Sequence, residues 1–102
     1  MKKKDKNLGR EDGNDEELLL SLQSEERRKV YIYLRLIFPA WATISEIARE
    51  IKSDYRNVLG ALKGDGKRYS KKLALINVDL VEYKKGMLGR YKIYLYRAKR
   101  KG

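Results

Sequence analysis

The amino-acid sequence predicts a small α+β domain in which a core of three helices is followed by a C-terminal β-hairpin. At 102 residues the chain has the length of one domain. Val30, Leu34 and Ile37 recur at the spacing of a buried helix face. Two further helical segments are separated by a short turn, and two extended runs joined by a glycine-bounded turn end the chain. The order of these segments predicts the fold class.

The domain organisation follows from where apolar residues begin and end. Residues 1–14 mix charged residues with Asn and Gly, so we expect a flexible polar tail. Residues 15–23 predict a short N-terminal helix with three leucines on its apolar side. The folded domain then covers residues 24–98, and residues 99–102 form a basic tail.

Residues 25–37 form the first predicted core helix, which Pro39 ends because proline cannot continue the backbone hydrogen-bond ladder. A short strand is expected over residues 40–43. Ile32 and Leu36 lie on a second side of this helix and need a cover. The N-terminal leucines, the C-terminal strand or another subunit could supply it.

The next two helices are predicted from their capping residues. Ser45 or Thr43 can cap a helix over residues 46–51, and Asp54 can cap another over residues 55–63. Oxygen-bearing side chains at these positions accept hydrogen bonds from the first free amides of a helix. The two segments therefore form a helix, a turn and a helix.

The C-terminal third is predicted to hold a short helix and a hairpin. Ser70 can cap a helix through Ile76, and the strands cover residues 80–85 and 90–97 around a four-residue turn, Gly86 to Gly89. Alternation along the second strand places Tyr91, Ile93 and Leu95 on one face and Lys92, Tyr94 and Tyr96 on the other.

Several classes of chemistry are excluded by composition. The chain has no Cys and no His, so disulfides, Cys/His zinc sites and the commonest general base are absent. The segment Gly64-Asp65-Gly66-Lys67 resembles part of a phosphate loop, but Ala61 replaces the first glycine and Arg68 follows the lysine. Glu46 and Glu50 are spaced for surface ion pairs rather than a catalytic pair. We expect no enzyme, no metal and no cofactor.

The chain is expected to be cytoplasmic and to avoid membranes. No apolar run approaches the roughly 20 residues that a bilayer-spanning helix needs. The opening Met-Lys-Lys-Lys leads into polar residues rather than into the apolar segment of a signal peptide.

Charge is distributed unevenly along the chain. Residues 1–26 carry five Lys or Arg and eight Asp or Glu, whereas residues 27–102 carry 20 Lys or Arg and six Asp or Glu. The net charge is therefore −3 in the first part and +14 in the second. A domain this basic attracts polyanions by its long-range field and by counterion release, which favours nucleic acid as a partner.

Residues 44–62, ISEIAREIKSDYRNVLGAL, resemble the helix-turn-helix of winged-helix regulators. Ala48 stands where that family has a small residue, and the match needs no gap. Lys52 replaces the usual turn glycine and Ser53 a usual apolar residue, so the turn could be packed or shaped differently. The tracts ERRKVYIYLR, WATISEIA and NVLGALKGDGKRYSKKLALI are similar to small archaeal winged-helix proteins described only as predicted transcriptional regulators. This resemblance covers about residues 25–97 and implies a winged-helix fold and a role in DNA binding.

The resemblance also implies where DNA would be contacted. Arg56 points away from the buried side of the second helix, where it could read guanine, contact a phosphate or remain solvated. Tyr55 could pack or contact DNA, and Asn57 could pair with adenine. Gly60 permits close approach either of DNA or of a neighbouring helix, with helix packing favoured. The candidate DNA-binding residues are Tyr55, Arg56, Asn57, Gly60, Lys63, Lys67, Arg68, Lys71, Lys72, Lys84, Lys85, Arg90 and Lys92.

The expected function is that of a sequence-selective transcriptional regulator that binds double-stranded DNA, with the second helix in the major groove and the hairpin on the backbone. Two alternatives stay open: an RNA-binding module, because tyrosines are plentiful, and a protein-interaction scaffold. We also expect a possible homodimer through the N-terminal helices, in which Leu18, Leu19 and Leu22 cover Ile32 and Leu36.

Overall fold

The computed structural model describes residues 12–100, an α+β fold with four helices and one antiparallel two-stranded hairpin. Its elements in chain order are α1 (Asp12–Ser21), α2 (Glu25–Ile37), α3 (Ile44–Ile51), α4 (Tyr55–Lys63), β1 (Val81–Leu88) and β2 (Tyr91–Ala98). This layout is compatible with a winged helix. The first eleven residues of the predicted tail, and residues 101–102, lie outside the described part. Within that part, no helix is long and apolar enough to cross a membrane.

The core lies where α2, α3 and α4 meet the base of the hairpin. Leu34 of α2, Ile47 of α3, Leu62 of α4 and Tyr96 of β2 are almost completely buried and belong to one cluster. Burial of each such aliphatic side chain stabilises the fold by roughly 1.5–3 kcal/mol. The three helices are therefore held by shared apolar contacts, and the hairpin is anchored through Tyr96 together with Val81 and Ala98 at its base.

Helix α1 begins at Asp12, earlier than predicted, and ends at Ser21. Leu18 and Leu22 pack against the core, whereas Leu19 remains exposed. The three predicted leucines therefore do not form one free stripe.

A buried polar junction joins α1 to the rest of the domain. The Ser21 hydroxyl donates to the Leu73 carbonyl at 2.6 Å, and the Arg27 Nε donates to the Ser21 carbonyl at 2.6 Å. Burial lowers the pKa of the Arg27 guanidinium, although nearby Tyr69 opposes that change. A buried donor without a partner costs about 1–3 kcal/mol, so these bonds fix where α1 ends.

Helix α3 begins at Ile44, and the alternative caps predicted for it are resolved in favour of Thr43. The Thr43 hydroxyl accepts from the Glu46 amide at 3.1 Å, and the Glu46 carboxylate accepts from the Thr43 amide at 2.8 Å. This reciprocal pair is a capping box. Asp54 caps α4 as predicted, accepting from the Asn57 amide at 2.9 Å.

The turn between α3 and α4 keeps the shape that glycine usually provides. Lys52 adopts φ 58° and ψ 48°, which is the left-handed region. The Ser53 hydroxyl donates to the Glu26 carboxylate at 2.5 Å, so a polar bond to α2 replaces an apolar contact. Lys52 and Ser53, which depart from the pattern of winged-helix regulators, therefore change the side-chain contacts of the turn. The end of α3 and the start of α4 keep their places.

The prediction of a helix over residues 70–76 is wrong, because this segment forms successive turns. The amides of Leu75 and Ile76 donate to the carbonyls of Ala61 and Leu62 at 3.0 and 3.1 Å. The carbonyls in the last turn of a helix lack intrahelical donors, and this segment supplies them. Tertiary hydrogen bonds thus replace the local helix that Ser70 could have capped.

The hairpin differs from the prediction in its turn, and the structure shows which of its two faces meets the core. Pairing continues to Leu88 opposite Tyr91, so the turn is the two residues Gly89 and Arg90. Gly89 has φ +62°, which a type II′ turn requires at its first position. The face toward the core carries Tyr96, which also pairs with Ala42 in an isolated bridge. Ala42 is the only residue of the predicted first strand, residues 40–43, that pairs with another strand.

Candidate nucleic-acid interface

The first turn of α4 exposes two of the predicted contact residues. Tyr55 and Arg56 are exposed, while Val58 and Leu62 on the inner side of the helix have no exposed surface. The Arg56 guanidinium has no ion pair or hydrogen bond with any residue of the described range. It is therefore accessible to an anionic partner.

Less of the outer side of α4 is exposed than predicted, because the loop that follows the helix folds over it. A Cβ atom added to Gly60 would lie 2.7 Å from Cγ of Tyr69, so the tyrosine ring rests directly on the helix. The Tyr69 hydroxyl donates to Asn57 Oδ1 at 3.2 Å. Gly60 is buried, and its place among the DNA contacts is corrected. Glycine is needed there for packing by a loop tyrosine rather than by a helix.

The loop that carries Tyr69 is tightly organised. The Asp65 carboxylate accepts from the amides of Tyr69 and Lys67, both at 2.8 Å, and these amides hold the pKa of Asp65 below its usual value. Gly64 ends α4 with φ +76°, and its amide donates to the Gly60 carbonyl at 2.8 Å. Lys67 and the neighbouring Arg68 are thus displayed in solvent from an ordered loop.

Lys71 and Lys72 follow this loop and are exposed. The Lys72 ammonium lies 3.9 Å from the Glu17 carboxylate of α1, which is a long, solvent-exposed pair. Both lysines remain accessible to an anionic partner.

The hairpin places two of the candidate lysines, Lys84 and Lys85, on opposite faces. Lys85 pairs with Tyr94 and Met87 pairs with Lys92, on the same face as the buried Tyr96. Lys84 pairs with Leu95 on the opposite face, and its ammonium lies 4.4 Å from the centre of the Trp41 ring. A cation held over a ring is less available for a phosphate. Lys85 and Lys92 therefore belong to the α4 side of the hairpin, and Lys84 does not.

Trp41 contacts two cations of the hairpin. The Arg97 guanidinium lies 4.3 Å from the ring centre, and the same guanidinium bonds the Glu82 carboxylate at 2.6 Å. These contacts fasten the segment before α3 to the outer face of the hairpin.

The hairpin tip exposes both a cation and apolar side chains. Arg90 is exposed in the turn, and Met87, Leu88 and Tyr91 around it are 61%, 66% and 74% exposed. Several exposed apolar side chains beside an arginine are unusual at a strand end that only meets solvent. They are typical of a surface that contacts another molecule.

A recess separates α4 from the hairpin, and Lys63 crosses it. The Lys63 ammonium lies 4.6 Å from the ring centre of Tyr94 and 5.9 Å from that of Tyr83. Burial raises the pKa of Tyr96, at the same recess, to about 12, and the nearby hydroxyls of Tyr55, Tyr94 and Tyr83 contribute. Lys63 therefore contacts the tyrosines of the hairpin. Its side chain is half-buried, so one side of it remains open to solvent.

Four aromatic residues contribute to the site without having been predicted to do so. Tyr69 covers α4, Trp41 holds Lys84, and Tyr83 with Tyr94 receive Lys63. Only Gly60, a glycine inside a helix, signalled that something must approach closely. No local pattern in the sequence identified Tyr69 as that neighbour.

Comparison with known proteins places these features in a family context. A family model described as EarA-like matches residues 19–102. An uncharacterized protein of Methanocaldococcus jannaschii is 41% identical over 69 residues. That alignment covers 67% of this chain and 62% of the relative, so the chain spans less than two thirds of the relative's length. No solved structure gives a significant match.

Proposed function

We propose that this chain, which belongs to the EarA-like family, is a winged helix-turn-helix protein that binds double-stranded DNA sequence-selectively and regulates transcription. In this proposal α4 is the recognition helix that enters the major groove. The hairpin is the wing that follows the sugar–phosphate backbone.

The observation that carries the proposal is the pairing of an exposed helix turn with a basic wing face. Tyr55 and Arg56 stand free at the start of α4. Lys85 and Lys92 lie on the hairpin face that turns toward α4, where Lys63 contacts Tyr94. A duplex against α4 would therefore meet cations from the wing as well as from the helix.

Charge supports the same partner. Residues 27–102 carry a net charge of +14. Phosphate contacts by Lys and Arg release condensed counterions, and such binding weakens steeply as salt rises. The exposed Lys67, Arg68 and Lys71 extend the basic surface beyond the end of α4.

The RNA-binding alternative has fewer open rings than the number of tyrosines suggests. Base stacking on a protein needs open ring faces. The Tyr83 and Tyr94 rings receive the Lys63 ammonium, and the Trp41 ring lies against both Lys84 and Arg97. Tyr55 and Tyr91 are exposed with no cation of the described residues over the ring, so base stacking would depend on these two residues.

Duplex DNA binding should show strong salt dependence. If about six phosphates are neutralised, log K should fall with log salt concentration at a slope near −5. Fluorescence anisotropy over a salt series measures the slope with a labelled duplex and, as the matched control, a single-stranded RNA of the same length. Equal or tighter RNA binding would replace the proposal with an RNA module, and binding to neither would favour the protein-interaction scaffold. Genome-wide occupancy then tests sequence-selective regulation.

A homodimer through the N-terminal helices is the proposed assembly. Ile32 is 52% exposed and Leu36 78%, and exposed Leu19 of α1 adds a third apolar side chain. Sedimentation velocity should detect dimers, and Leu36→Lys should shift the protein toward monomer because a charge would be buried in the interface. Operators would then be roughly palindromic. Monomer alone at high concentration, with and without duplex, would end this proposal.

A further inference from the structure

A cleft of about 500 Å³ opens between the start of α3, the length of α4 and strand β2. Tyr55, Leu59 and Lys63 line it from one side of α4, while Tyr94 and Tyr96 line it from β2. Its volume lies within the range of small-molecule sites, which are concave and mostly apolar with a few placed polar groups.

The charged groups at this cleft have one sign. Lys63 and Lys92 line it, and none of the described lining residues is Asp or Glu. The acidic residues that cap α3 and α4, Glu46 and Asp54, are bound to backbone amides of their own helices. Within residues 12–100, no carboxylate forms an ion pair with Lys63. The cleft is thus suited to an anion.

The apolar surface of the cleft comes mainly from two residues of α4. Tyr55 is 54% exposed and Leu59 is partly exposed, and both line the cleft. Tyr96 is only 1% exposed, so it closes the floor of the cleft and offers no group to a ligand. The open Tyr55 ring supplies flat apolar surface for a planar body.

We propose that this cleft binds a small planar aromatic carboxylate. The carboxylate meets the Lys63 ammonium on the side that is open to solvent, and the ring system packs against Tyr55 and Leu59. Lys92 at the rim adds positive potential. Such a ligand would sit between α4 and the hairpin, the two elements proposed to hold DNA.

Calorimetric titration without DNA tests the site directly, so its outcome does not depend on whether the chain binds a duplex. The probe is 2-naphthoate, and its matched neutral control is 2-naphthamide, which has the same ring and nearly the same shape. We expect a Kd for 2-naphthoate below about 1 mM, and binding of 2-naphthamide weaker by about tenfold or more. Equal affinity for the two probes, or no heat with 2-naphthoate at concentrations about tenfold higher, would overturn the proposal.

Variants then assign the contacts. Lys63→Met should weaken 2-naphthoate by about tenfold, the loss expected for one hydrogen bond to a charged group. Lys29→Met is the charge-matched control, because Lys29 is on α2 and pairs with Glu25 at 3.5 Å. Its affinity should equal that of the unmodified protein. Unchanged affinity in Lys63→Met, or the same loss in Lys29→Met, would reject the site, and thermal melts of each variant separate lost binding from lost folding.

Discussion

Replacing Arg56 with alanine is expected to weaken binding to a cognate duplex by about 1–3 kcal/mol and to change binding to random duplex far less. Arg56 is exposed in the first turn of α4, on the side opposite the buried Val58 and Leu62. A guanidinium there can bond two acceptors on guanine, and this pairing is lost with the wrong base. Anisotropy titrations with a duplex selected from a random library, and with an unselected duplex, measure both affinities.

The wing supplies the contrast for this experiment. Lys85→Ala combined with Lys92→Ala should weaken binding to both duplexes alike. The slope of log K against log salt concentration should become shallower by about one or two. Lys84→Ala combined with Lys29→Ala removes the same charge elsewhere and should have a smaller effect, because Lys84 rests on Trp41. If Arg56→Ala weakens cognate and random duplexes equally, Arg56 is a phosphate contact. Base reading would then depend on Tyr55, Asn57 or DNA shape.

The helices around the turn were predictable because their ends are specified locally. Thr43, Glu46 and Asp54 satisfy amides within three residues of themselves, and a short sequence window contains both partners. The segment at residues 70–76 was not predictable in this way. The amides of Leu75 and Ile76 bond carbonyls of Ala61 and Leu62, which lie more than a dozen residues earlier.

The hairpin shows the same division between local and long-range information. Alternation along β2 separated two sets of side chains, but it could not decide which set meets the core. Ile93 and Leu95 are more apolar than Tyr96, yet Tyr96 fills the space beside Ala42. Lys84 and Lys85 are both candidate DNA contacts, but adjacent residues on a strand point to opposite faces, so only one of them can lie on the α4 side.

Changing Gly60 to alanine is expected to destabilise the protein by about 1–3 kcal/mol, the range for overpacking a buried site. Alanine in an exposed helix interior would instead gain about 1 kcal/mol over glycine. The reversal arises from Tyr69, because the new Cβ would lie 2.7 Å from Cγ of its ring and 2.9 Å from Cε2. The ring must move, and its hydroxyl then leaves Asn57 Oδ1. Urea unfolding of Gly60→Ala and of the unmodified protein measures the loss.

A double-mutant cycle identifies Tyr69 as the cause. In a Tyr69→Ala background the space above the helix is open, so Gly60→Ala should stabilise by up to about 1 kcal/mol through helix propensity alone. Tyr69→Phe is the conservative control, because it keeps the ring and removes only the bond to Asn57, so Gly60→Ala should remain destabilising there. If Gly60→Ala destabilises equally with and without the Tyr69 ring, the requirement for glycine comes from something other than this loop. The outer side of α4 would then be as open as the sequence alone suggested, and Gly60 would return to the candidates for close approach of DNA.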